Sequence, residues 1–176
     1  MTMRGIVLFK GKYGATAQYA NWIGEKLDAP VVEAPALSSL LLQEYDYLVV
    51  GSSVYMGKFV LADWLKKNGD LFKDRKLFLF VVGATASTDK VTQDRIISKN
   101  IPKAILANCS IYFLPGRLDL KTLNWSDNLL VKFAGRFEKN TLRKNVLLNG
   151  IDEVKQENIS DLIKEVEAFA KIDKLV

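Results

Sequence analysis

The sequence has no histidine among its 176 residues and one cysteine, Cys109. Without imidazole there is no Ser-His-Asp or Cys-His nucleophile, no histidine-ligated metal, and no side chain that titrates near neutral pH by default. A lone thiol cannot close a disulfide within the chain, and one cysteine leaves a structural zinc without its ligand set. Long apolar runs are missing too. The longest, Leu77–Val82, is of strand length, far short of the roughly 18–20 residues that span a bilayer. The N-terminus passes from Met1-Thr2-Met3-Arg4 straight into a strand-like segment with no signal-peptide layout, so the expected location is the cytoplasm. Asp89 and Asp94 read as loop or helix-start carboxylates, and nothing pairs them as an acid/base couple.

What is present is ordinary globular material: 49% apolar and 26% charged residues, enough for one domain over 1–176. Four apolar runs, Ile6–Phe9, Tyr47–Val50, Leu77–Val82 and Ile111–Leu114, are rich in Val, Ile and Phe and lack strict alternation. That pattern fits strands buried on both faces, as in a parallel sheet. Val31-Val32-Glu33, between Pro30 and Pro35, is a fifth and weaker candidate. Helical spacing falls between the runs: Tyr19, Ile23 and Leu27; a stretch from Phe59 to Phe72; Val91–Ala107, which Pro102 is positioned to split; and Ile159–Ile172 at the end, with Ser160 or Asn158 as cap. Alternation of this kind means crossover units, a parallel sheet and helices on both of its faces, hence three layers.

Ligands of open parallel sheets bind at the carboxyl ends of the strands. The loop after the first strand is Lys10-Gly11-Lys12-Tyr13-Gly14-Ala15-Thr16, running into a helix whose free N–H groups suit a phosphate. It matches neither Gly-x-x-x-x-Gly-Lys-Ser/Thr nor Gly-x-Gly-x-x-Gly. The loop after Tyr47–Val50 is Gly51-Ser52-Ser53-Val54-Tyr55-Met56-Gly57-Lys58, in which Tyr55 offers a face to a flat ring. After Leu77–Val82 comes Gly83-Ala84-Thr85-Ala86-Ser87-Thr88, small and polar. A Gly-containing turn that binds nothing is the bland alternative for the first of these loops.

At these residues the chain resembles the flavodoxin family. Lys12–Ile23 looks like its phosphate loop and first helix, and Tyr45–Lys58 like its third strand and flavin loop. The resemblance implies a flavodoxin-like, doubly wound, five-stranded parallel sheet of order 2-1-3-4-5. It also implies one noncovalently bound FMN, held by Lys10–Thr16, Ser53–Lys58 and Gly83–Ser87, with no metal and no catalytic side chain. Three departures stand out. Lys10 and Gly11 occupy positions where flavodoxins usually begin with hydroxyl residues, Ala15 replaces a further hydroxyl, and only Thr16 is kept. Lys58 stands where an acidic or small residue is frequent, and a cation there should raise the flavin potential. A narrower resemblance, in Leu114–Leu120 and Gly150-Ile151-Asp152, is to flavodoxin-domain proteins grouped with quinone-dependent protoporphyrinogen oxidase. It implies a quinone- or porphyrinogen-type substrate. A soluble electron carrier for a protein partner and a cofactor-free interaction module are the alternatives.

The net charge is +5, and residues 117–145 hold seven basic against three acidic residues, so four of those charges lie in a helical insert of about 117–149. Lys132, Arg136, Lys139 and Arg143 are spaced to share one helical face, with Leu130, Phe133, Ala134 and Phe137 opposite and Ser126 or Asn124 as cap. Such a helix packs on its domain with a solvated basic face, or lies on an anionic membrane or an acidic partner. A peripheral position at the inner face of the membrane is the corresponding expectation. No aromatics alternate with the charges, so nucleic acid is not expected. Cys109 reads as a small buried residue, Trp22 and Trp64 as core, and Trp125 as core or interface.

Overall fold

The computed structural model describes residues 3–34, 39–72, 75–84 and 89–172. Its centre is a parallel sheet of β1 (Gly5–Lys10), β2 (Val31–Glu33), β3 (Tyr47–Tyr55), β5 (Lys76–Gly83) and β6 (Cys109–Pro115), in the order β2-β1-β3-β5-β6. A two-residue strand, β4 (Lys58–Phe59), turns back antiparallel on β3. Counting the parallel strands alone, this is the expected 2-1-3-4-5 order.

The apolar runs form strands because both faces of the sheet are covered. Val7, Val49, Phe78, Phe80 and Val82 pack with α1 (Ala15–Leu27) and α8 (Ser160–Ile172), through Tyr19, Ile23, Leu162 and Val166. Ile6, Leu8, Leu48, Val50, Leu79 and Val81 pack on the other side. There they meet α3 (Ala62–Lys67), a 3-10 turn at Gly69–Phe72, α4 (Lys90–Asn100) and α5 (Lys103–Leu106), through Leu65, Phe72, Ile96 and Ile105. A short α2 (Ser39–Leu42) precedes β3. Burying a large aliphatic or aromatic side chain is worth about 1.5–3 kcal/mol, and both layers are built of such side chains.

Local differences from the sequence pattern have physical reasons. Phe59 belongs to β4 rather than to a helix, because Phe59 N–H donates to the buried Asn100 Oδ1 at 2.8 Å and α3 starts only at Ala62. Pro102 does split the fourth helical stretch. Neither Ser160 nor Asn158 caps α8 from outside: Ser160 is its first residue, and Asn158 Nδ2 donates to Tyr19 Oη and to Glu153 O. Trp22, Trp64 and Cys109 are half-buried at the margins of the core.

After β6 the chain pairs β7 (Arg117–Leu118) with β8 (Ile151–Asp152), so the insert leaves and returns at one point, fastened by Arg117 Nε to Asp152 at 2.8 Å. Between them the expected single basic helix is two: α6 (Trp125–Phe137), capped by Asn124 as its side chain accepts from Asp127 N–H, and α7 (Thr141–Asn149). The break at 138–140 corrects the four-residue stripe. Lys132 and Arg136 lie on α6, Lys139 lies between the helices, and Arg143 turns inward to pair with Asp89. A second correction concerns the apolar side, since Phe133 and Phe137 are exposed. The two helices pack closely at Gly135, where an added Cβ would lie 2.9 Å from Leu148 Cδ2.

Candidate cofactor site

Register brings the loops together. Lys10 pairs with Ser52, Ser53 with Val82, and Gly83 with Pro115, so β1, β3, β5 and β6 end along one edge. A cavity of about 390 Å³ opens there. Its walls include Lys12, Tyr13, Ala15 and Thr16 from the first loop and helix, Ser53–Gly57 from the second, and Gly83 and Ala84 from the third. Lys10, Gly11, Gly14 and Lys58 stand outside the lining; Lys58 is exposed on β4, paired with Tyr55. Thr85, Ala86 and Ser87 lie outside the described residues.

The start of α1 is open. Gly14 occupies the N-cap position at φ 83°, and among the described residues no side chain caps the helix. A residue with a Cβ is strained at that φ, and the first N–H groups of a helix have no intrahelical acceptor. Thr16 is buried beneath the loop, its Oγ1 so close to Gly11 that a Cβ there would stand 2.7 Å away. In the second loop Met56 and Gly57 both have positive φ, 51° and 73°, and make a tight two-residue hairpin. Asn100 pins that hairpin from α4: its Nδ2 donates to Gly57 O at 3.0 Å while its Oδ1 takes the Phe59 N–H. Ser53 Oγ is buried without a hydrogen-bond partner among the described residues.

The insert supplies the roof. Leu130, Val131 and Ala134 of α6 and Leu147 of α7 line the cavity. Asp127, buried in the first turn of α6, is the centre of a polar cluster. Lys12 Nζ reaches it at 2.6 Å, Tyr55 Oη donates to it at 2.6 Å, and Tyr13 Oη donates to it as well. The hydrogen bonds from Lys12, Tyr13 and Tyr55 hold the Asp127 carboxyl down to about 2. Burial opposes the charge on Lys12, but the hydrogen bonds with Asp127 and Tyr55 outweigh it and its pKa is raised. Burial and the hydrogen bond to Asp127 raise Tyr13. Lys12 Nζ lies 3.7 Å from the Tyr55 ring centroid, so one face of that ring is already covered by a cation.

Sequence reasoning finds most of the loop residues but misses Asp127, Asn100, the apolar roof, and Arg95, which lines the cavity from α4. The one available signal for Asp127 is its place in the first turn of a helix that follows the last strand. Asn100 carries none, because its partners are backbone groups 41 and 43 residues away.

Strand order, parallel pairing and loop placement define an α/β protein of the flavodoxin type. The chain belongs to the Flavodoxin domain family, whose pattern it matches over residues 6–144. Among solved structures it is similar to a flavodoxin from the domain Archaea, at 14% identity over 65% of this chain and 83% of that one, TM-score 0.49. It is also similar to oxidised Flavodoxin 2 from Bacillus cereus, at 16% identity over 64% and 85%, TM-score 0.44. A third is a putative flavoprotein from Bacteroides uniformis, at 11% identity over 75% and 99%, TM-score 0.43. No curated protein matches the chain.

Proposed function

We propose that the protein binds one FMN in this cavity and passes electrons between it and a quinone- or porphyrinogen-type molecule. Membership of the flavodoxin family supports a flavin. The observation that carries the reading is the convergence, on one cavity, of a helix start and a buried hydroxyl that are both without a side-chain partner among the described residues. Both are groups that a bound polar ligand would satisfy, because a buried polar group without a partner is costly.

The residues divide the work. The first turn of α1, with Thr16 and the Lys12 ammonium beside it, would hold the phosphate. Ser53 Oγ would gain the partner it lacks, and Tyr55 presents its second face to a flat ring. The apolar roof of α6 and α7 keeps water from the ring. The flavin, when bound, supplies the redox chemistry. Lys12, unlike Lys58, stands at the cavity wall, and the adjoining Asp127 cancels much of its field. Arg95, which also lines the cavity and makes no ion pair among the described residues, suits a carboxylate on the substrate.

Titration with FMN tests the reading. Flavin fluorescence should be quenched and the melting temperature raised on binding, and Thr16→Ala should weaken affinity by about 1–2 kcal/mol. Saturating FMN that changes neither signal would leave the cofactor-free interaction module. For the substrate, the reduced FMN-loaded protein should be reoxidised by a short-chain naphthoquinone; reoxidation by an acceptor protein alone would make it a soluble carrier.

A further inference from the structure

The outer face of α6 is as apolar as its inner face. Trp125, Leu129, Phe133 and Phe137 recur at every fourth position and are 80%, 62%, 66% and 65% exposed, and Leu142 of α7 adds another at 72%. Phe133 and Phe137 touch, with ring centroids 4.8 Å apart. A helix in water normally turns one apolar face inward; this one has apolar residues on both. Exposed large apolar residues gathered in this way mark an interaction surface.

We propose that this face of the α6–α7 hairpin lies on an anionic lipid surface. The charge around the stripe selects the occupant. Lys132, Arg136, Lys139 and Lys144 are exposed on the same hairpin. Its two acidic residues offer little opposition: Asp127 is turned into the cavity, and Glu138 alone stands near the surface. A second copy is a poor fit, since a two-fold pairing of this face would set Lys132, Arg136 and Lys139 of each copy against the same cations, with Glu138 alone to offset them. The stripe runs along a convex helix, so it meets a deformable apolar layer better than it meets a rigid pocket. Lysine and arginine stems can follow the apolar side chains down while their charges stay among the headgroups.

The position has a consequence. Leu130, Val131 and Ala134 roof the cavity from the same helix that carries the stripe. Docking by the stripe would therefore bring the cavity to within one helix's thickness of the lipid surface. The docking itself requires no flavin, so it stands or falls apart from FMN binding.

Co-sedimentation of the full chain with phosphatidylcholine vesicles, with and without phosphatidylglycerol, tests the proposal at low salt. Binding is expected with phosphatidylglycerol and should fall as salt is added. The double variant Phe133→Ser/Phe137→Ser should bind at least about tenfold more weakly, with its melting temperature unchanged because both rings are exposed. Lys132→Gln and Arg136→Gln should each cost about fivefold. Brominated acyl chains should quench the tryptophan emission of the wild type, and Trp125→Phe should abolish that quenching. No co-sedimentation at low salt overturns the proposal. So does binding that survives the double serine variant, which would place the contact on another face. A dimer in sedimentation velocity that the serine variant dissociates would assign the stripe to a second copy instead. Loss of binding to an acidic protein, with vesicle binding absent throughout, would assign it to that protein.

Discussion

Phe78 and Phe133 are the same residue in opposite circumstances. Phe78 sits in the interior strand β5 with no exposed surface, its ring edge-on to Tyr47 and Phe169. Phe133 stands largely in solvent on α6. The contrast extends to the regions around them. The sheet is held by two apolar layers, whereas the insert is fastened to it by polar contacts: Asp127 with Lys12, Tyr13 and Tyr55, and Arg143 with Asp89. Apolar packing is close to insensitive to pH and salt; ion pairs and charged hydrogen bonds are not. One chain thus joins a body of fixed geometry to a roof whose attachment responds to conditions.

The most direct way to break the comparison is to cut both rings to alanine. Phe78→Ala should cost about 3–5 kcal/mol, because the cavity it leaves between β5 and α8 cannot collapse. Phe133→Ala should stay within about 0.5 kcal/mol, as for a surface position. Urea unfolding of the two variants measures both. Equal losses would mean that the insert contributes to the core as the sheet does.

The sequence could support the first half of this contrast but not the second. Val7, Leu48, Leu79 and their neighbours announce buried strands because a run of apolar residues has few other uses in a chain of this composition. The edge where ligands bind then follows from the parallel connection, and with it Lys12–Thr16, Ser53–Gly57, Gly83 and Ala84. Periodicity in the insert shows that Trp125, Leu129, Phe133 and Phe137 share a side of α6. It does not show whether anything covers that side. Asp127 is hard to read for another reason: its partners lie 115, 114 and 72 residues away, and a carboxylate in a helix's first turn is as easily an ordinary helix-start residue. The break at 138–140 is hidden as well, since the basic residues keep helical spacing straight across it.

Acid should separate the two regions without mutation. The Asp127 carboxyl is lowered from 3.8 to about 2 by Lys12, Tyr13 and Tyr55. Its contribution is therefore whole above about 3.8 and is lost as pH falls from there towards 2. The alkaline limb has the opposite sign. Lys12 and Tyr13 are both raised, so what they add is whole below their ordinary values and is lost as pH rises through the folded ones. Amide hydrogen exchange, corrected for its intrinsic pH dependence, should show α6 and α7 losing protection between pH 3.8 and 2 while β3 and β5 keep theirs. Asp127→Asn should shrink this acid step to what Asp89 and Arg143 contribute and, by deleting a carboxylate beside the phosphate loop, tighten FMN binding several-fold at low salt. Simultaneous loss of protection in sheet and insert would show that the Asp127 cluster is not a separate fastening.

The smallest effect lies within the fixed body and sharpens the contrast from that side. Met56 is at φ 51° in the hairpin that joins β3 to β4, a left-handed conformation that costs an ordinary L residue roughly 1–2 kcal/mol. Gly57 next to it, at φ 73°, has no Cβ to be strained. The hairpin nevertheless keeps this shape, because Asn100 holds Gly57 O and Phe59 N–H from α4 and the pairing of Tyr55 with Lys58 closes the turn. Asparagine tolerates the left-handed region better than methionine does, and the exposed Met56 side chain gives up little burial when it is replaced. Met56→Asn should therefore stabilise global unfolding by about 0.5–1 kcal/mol, seen as a rise of roughly 1–4 °C in melting temperature. The gain should appear in exchange of β3 and β5 and leave α6 and α7 unchanged, since the hairpin is pinned to the sheet and α4 rather than to the roof. A gain confined to the insert would place the hairpin on the wrong side of the comparison, and an unchanged melting temperature would mean that the turn stores no strain at Met56.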